Sequence, residues 1–96
     1  MQKDLNVVIL DIDGKPMKNE EGKETTVKDA VVSSLKTRLR SDDENSNMFQ
    51  LFEIAMKVNV KTKCELTAEE IAIIKKRVNS MFFPEVVGRV YEALEK

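Results

Sequence analysis

The distribution of apolar and polar positions changes period along the chain. Asn6 to Leu10 reads Asn-Val-Val-Ile-Leu, a short β-branched run that leads to Asp13-Gly14, a dipeptide suited to a tight reversal. A strand followed by a turn is predicted there. The signal returns eight residues later, because Asp13-Gly14-Lys15 is echoed by Glu21-Gly22-Lys23, each leading into an extended polar stretch. A small meander, or a hairpin plus loop, follows from that spacing. From Thr26 the period becomes helical: Val27, Val31, Leu35 and Leu39 recur every four positions, widened by Ala30 and Val32, until the polar cluster Ser41 to Ser46. Thr26 with Asp29 approximates a capping box for this first helix.

The second helical stretch runs from about Asn47 to Asn59. Gln50, Glu53 and Lys57 make one narrow polar stripe, and Met48, Phe49, Leu51, Phe52, Ile54, Ala55, Met56 and Val58 occupy the rest. Such a helix is expected to be mostly buried, with Glu53 and Lys57 pairing on its wet side. Leu66-Thr67-Ala68-Glu69-Glu70-Ile71 is the sharpest local signal, since Thr67 and Glu70 form a capping box and Leu66 and Ile71 hold the staple positions. The third helix carries Glu69 and Glu70 in its first turn and Lys75, Lys76 and Arg77 toward its end, complementing the dipole. Ile71, Ile74, Val78 and Met81 or Phe82 are its inward stripe. Phe83-Pro84 ends it and starts a fourth helix to about Leu94, which buries Val86, Val87, Val90, Ala93 and Leu94 and turns Glu85, Arg89 and Glu92 to water. The predicted fold is a single, mainly α domain over 1–96: about four short helices in a bundle over 26–96, preceded by an N-terminal β-hairpin or extended arm over 1–25.

Composition narrows the chemistry. Among 96 residues, 42% are apolar and 34% charged, with 16 basic against 17 acidic side chains. A core of that size is marginal alone, which leaves room for self-association. The chain has no histidine, so imidazole bases and imidazole metal sites are excluded. The single Cys64 cannot close an internal disulfide and fits a reducing cytoplasm. Neither an export signal nor an apolar stretch near the roughly 20 residues of a membrane span is found, so a cytoplasmic protein is expected. A formal net charge of −1 gives no general field for a phosphate backbone, which makes nucleic acid an unlikely partner.

Two chemical alternatives have residues in their favour. Val7 to Gly14, with Asp11 and Asp13, resembles the first motif of haloacid-dehalogenase-type phosphotransferases, which would imply a metal-dependent phosphotransferase or hydrolase. Lys15 stands where that family has threonine or valine, and a strand running into an Asp-Gly turn explains the same letters. A calcium loop from Asp11 would need glycine where Pro16 stands and glutamate where Gly22 stands. Lys57, Lys61, Lys63, Lys75, Lys76 and Arg77 would make a weak nucleic-acid surface if the fold gathered them. No catalytic residue, metal or cofactor is assigned.

What stands out is apolar material where water is expected. On a helical projection Ile73 falls among Glu69, Lys76 and Arg77, opposite the inward stripe, and the second helix has more apolar width than one packing face needs. Val7 and Ile9 on a strand edge offer a third contact. Val7, Ile9, Glu69, Ile73, Lys76 and Arg77 are therefore the candidate partner-binding residues. The segments Asp11 to Pro16, Thr26 to Val31, Glu65 to Ile71 and Phe83 to Tyr91 together resemble small proteins encoded by tailed bacteriophages and prophages. That resemblance implies a non-enzymatic protein in the cytosol of an infected or lysogenic bacterium, a virion-assembly accessory or an inhibitor of a host factor. Its partner would be a phage or host protein, or a second copy in a homo-oligomer.

Overall fold

Both threonine caps form as their spacing predicts, and they set the frame. In the computed structural model, which describes residues 2–40, 42–43, 47–60 and 63–96, the Thr26 hydroxyl accepts from the Asp29 amide while the Asp29 carboxylate accepts from the Thr26 amide. Thr67 and Glu70 repeat the exchange. These boxes open α1 (Val27–Lys36) and α3 (Ala68–Met81); α2 (Met48–Val60) and α4 (Pro84–Glu95) complete the four predicted helices. Pro84 takes the first turn of α4, where a missing N–H costs nothing. Asn47 caps α2 by accepting from the Gln50 amide.

The shortest helix is the central one. α1 packs against α2, α3 and α4, whereas α2 packs chiefly on α1 and on the strand that follows it. A single aliphatic core results, with Leu5, Ile9, Val27, Val31, Ile54, Val58, Leu66, Ile74, Val78, Val90 and Leu94 among its members. Leu66 and Ile71 are both in it, as staple residues should be. Val86, Val90, Ala93 and Leu94 line the inner face of α4, with Val87 half-buried beside them. Helix α1 is shorter than its periodicity suggests: it ends at Lys36, and Leu39 lies in the following loop. Of the polar cluster Ser41 to Ser46, only Asp42 and Asp43 are among the described residues.

The N-terminal arm departs from a flat hairpin. Its regular strand, β1 (Gln2–Asp4), pairs antiparallel with β2 (Lys63–Glu65), placing Lys3 opposite Cys64, both with buried side chains. The first segment is thereby clamped onto the connection between α2 and α3. The Lys3 ammonium is satisfied by the Lys96 backbone oxygen at 2.7 Å. Beyond β1, three extended segments pair in a closed triangle: Ile9 N–H donates to Thr25 O, Thr25 N–H to Met17 O, and Met17 N–H to Ile9 O. The corners are eight residues apart, which is the spacing of the repeated turns.

Those turns are the same object twice. Asp11 Oδ1 accepts from the amides of Asp13 and Lys15, and Asn19 Oδ1 accepts from those of Glu21 and Lys23. Each reversal ends on a glycine with positive φ, 83° at Gly14 and 81° at Gly22, a geometry that side chains resist. The turn element is therefore Asp/Asn-x-x-Gly-Lys, a type I reversal closed by a left-handed glycine. Arg89 and Glu85 of α4 do not face open water as predicted but grip the first turn. Arg89 Nε donates to Leu10 O at 3.1 Å, and Glu85 Oε2 accepts from the Ile12 amide at 2.8 Å.

The C-terminal end of α1 is held by Arg77. This side chain, expected on a solvated face, is buried, because its guanidinium has four oxygens to meet. Nε donates to Ser34 O at 2.7 Å and one terminal nitrogen to Thr37 O, capping the carbonyls at the end of α1. Both terminal nitrogens reach the Asp42 carboxylate, at 2.8 and 3.2 Å. The Arg77 hydrogen bond holds the Asp42 carboxyl below its ordinary 3.8, helped by the Leu39 amide against the opposing effect of burial. At Glu70 burial pushes the carboxyl up, but hydrogen bonds from Lys57 and the Thr67 amide outweigh it and leave it below 4.5.

Removing the Arg77 side chain strands Asp42 and two carbonyls, so Arg77→Met should cost about 3 kcal/mol in urea unfolding; a loss under about 1 kcal/mol would show that the network is dispensable. Both depressed carboxyls are lower when folded than unfolded. They therefore stabilise the fold above their ordinary values, and that contribution disappears as pH falls through the folded values. The urea midpoint should decline from about pH 5 toward about pH 3, less steeply in Asp42→Asn; equal slopes would contradict the assignment.

Candidate functional site

Part of the proposed partner-binding set is brought together: Ile73, Lys76 and Arg77 line one cleft, which Val7, Ile9 and Glu69 do not. Val7 is 40% exposed, but its carbonyl accepts from the Val27 amide, and Ile9 is fully buried with both backbone groups paired in the triangle. The strand edge is thus already occupied. Ile73 does not point away from the core; it is half-buried, packs against the core and lines a shallow cleft with Leu39, Leu51 and Ser80. α1 packs on α3, and Leu39 and Leu51 border the cleft in which Ile73 lies. Glu69 and Lys76 are exposed, whereas Arg77 is committed to Asp42. Only fragments of that patch reach water.

The apolar surface lies instead on α2, and here the expectation of a mostly buried helix is overturned. Only Leu51, Ile54 and Val58 are buried. Around the same helix Met48 is 36% exposed, Phe49 68%, Phe52 58%, Met56 51% and Val60 69%. At 100° per residue the buried trio centres about half a turn from Phe49, Phe52 and Met56, so α2 has two opposite apolar faces and the fold covers one. The physical reason is α2's peripheral position, since α1 offers it a single packing surface. The Phe49 and Phe52 rings stack with centroids 6.2 Å apart.

Aromatic placement makes the face more conspicuous. Among the described residues no phenylalanine is buried: Phe49, Phe52 and Phe83 are exposed and Phe82 is half-covered, while the core is built from Leu, Ile, Val, Ala and Cys64. The residue type with the most area to hide has been left outside. Polar neighbours border the face on one side, at Glu53 and Lys57. Lys57 does not make the i,i+4 pair expected with Glu53; its ammonium goes to Glu70 Oε1 at 2.8 Å and joins α2 to the cap of α3.

The chemical alternatives fare as their residues dictate. Asp11 spends its carboxylate on two turn amides, and among the described residues no group of three or more Cys, Asp or Glu side chains is placed to hold a metal. Of the basic residues proposed for nucleic acid, Lys57 pairs with Glu70, Lys75 with Glu95 and Arg77 with Asp42. Lys63 sits on β2, Lys76 is exposed on α3, and Lys61 lies outside the described residues. Cys64 is buried, with its Sγ 3.7 Å from Val58 O. Among the described residues no helix is long and apolar enough to cross a membrane. No family model matches the chain, and neither a curated protein nor a solved structure matches it.

Because the outward face takes no part in the core, Phe49→Gln and Phe52→Gln should each change the unfolding free energy of the dilute protein by less than about 0.5 kcal/mol. Leu51→Ala, one position away on the buried side, should cost about 3 kcal/mol. Comparable losses at Phe52 and Leu51 would mean that the outward face is not free.

Proposed function

We propose that this chain is a non-enzymatic protein-binding domain whose working surface is the outward face of α2. The observation that carries the reading is the exposed set Phe49, Phe52, Met56 and Val60 on a helix whose opposite face is already packed. Exposed aromatic and methionine side chains concentrated on one element are characteristic of interface cores, where large apolar contacts are gained without rebuilding the fold. Methionine adapts its shape to what it meets. The absence of histidine and the use of Asp11 within a turn give the domain little with which to do covalent chemistry at neutral pH.

On the resemblance to small phage-encoded proteins, this binding would occur in the cytosol of an infected or lysogenic bacterium, as a virion-assembly accessory or an inhibitor of a host factor. A photo-activatable amino acid substituted for Phe52 and expressed in bacteria should cross-link to a polypeptide, either another copy or a different protein. The same group at the exposed Lys36 of α1 should capture nothing stoichiometric. Absence of any polypeptide adduct at position 52 would refute the reading.

A further inference from the structure

We infer that the groove between the α1–α2 connection and the C-terminal half of α3 receives an acidic peptide segment of a partner protein, in which carboxylates alternate with apolar side chains. This surface is separate from the outward face of α2, and neither reading depends on the other. Two clefts of about 230 and 510 Å³ share Leu39 and Ser80 and so run together along α3. Lys76 and Arg77 line the first, and Arg38 and Arg40 line the second. Among the described lining residues Asp42 alone carries a carboxylate, and Arg77 holds it with two hydrogen bonds. Arg38, Arg40 and Lys76 are left in excess.

Those three charges are free to act on a ligand. All are exposed, and among the described residues no carboxylate pairs with any of them. The other two arginines are spent inside the molecule, Arg77 on Ser34, Thr37 and Asp42, and Arg89 on Leu10 and Glu92. A guanidinium presents a planar fork that fits a carboxylate, and Arg38 and Arg40 present two of them to one cleft. Like charges lining one groove also repel one another, and an anionic ligand relieves that repulsion as it binds.

The rest of the lining selects the class of anion. Leu39 and Ile73 are half-buried and Met81 is 37% exposed, so apolar surface is interleaved with the cations. Inorganic phosphate has nothing to offer that surface. A single-stranded nucleic acid would bring bases that stack on aromatic rings, and none of the lining residues is aromatic. An acidic peptide supplies both halves: its carboxylates meet the arginine forks and its aliphatic side chains cover the apolar ground between them. Gln50 and Ser80 add uncharged donors and acceptors for its backbone.

Amide spectra of the isotope-labelled full chain at low ionic strength, titrated with an end-blocked octapeptide of alternating glutamate and leucine, test the proposal. Shifts should centre on Leu39, Ile73, Lys76 and Ser80 with Kd below about 1 mM, and Phe49 and Phe52 should stay unmoved. The double variant Arg38→Gln, Arg40→Gln should weaken binding at least about fivefold and Lys76→Gln at least about twofold, while Lys15→Gln on the N-terminal arm leaves it unchanged. The urea midpoints of all these variants should match the wild type, which separates lost binding from lost folding. Serine in place of leucine in the peptide should weaken binding at least about fivefold, and equal binding would overturn the apolar half of the site. A thymidylate octamer or inorganic phosphate that shifts the same amides at no higher concentration than the peptide would overturn the choice of a peptide. An octapeptide that leaves the groove unmoved, or that binds the arginine double variant as tightly as the wild type, would overturn the site itself.

Discussion

Arg77 is the constraint on which the arrangement of the helices depends. Its guanidinium reaches the carbonyls of Ser34 and Thr37 at the end of α1 and the carboxylate of Asp42 in the loop that follows. A buried cation tolerates few geometries, because each N–H left without an oxygen carries a desolvation penalty. Satisfying it fixes where α1 stops and directs Asp42 toward α3.

The N-terminal arm is held by a different device. The Asp11 and Asn19 turns reverse the chain twice at an eight-residue interval, and three backbone hydrogen bonds close the extended segments upon one another. Arg89 and Glu85 pin that unit to α4, while β1 reaches across to β2. Further ion pairs join Lys57 to Glu70 and Lys75 to Glu95. No aromatic ring is in the aliphatic core among the described residues, and the phenylalanines of α2 stand outside it.

What was legible in the sequence was local. The caps at Thr26 and Thr67, the staple of Leu66 and Ile71, and the start at Pro84 each involve residues within a few positions of one another, where spacing alone decides the geometry. The candidate surface was harder to read, because its elements depend on distant neighbours. Arg77 is buried by a carboxylate 35 positions away, and Ile73 is covered by elements earlier in the chain. Periodicity showed that α2 is apolar nearly all round, but a helix surrounded by neighbours and a helix with one neighbour and one bare face have the same pattern. Only the central position of α1 tells them apart.

The central claim is that the bare face of α2 is where this domain meets another polypeptide. Amide spectra of the isotope-labelled protein, recorded from dilute to concentrated solution and then with any cross-linked partner added, address it most directly. The account predicts shifts along Met48–Val60, strongest at Phe49, Phe52 and Met56, with the Arg77 network and the Asp11 and Asn19 turns unmoved. Spectra that never change, or changes centred on Ile73 and Lys76 or on the turns, would contradict it.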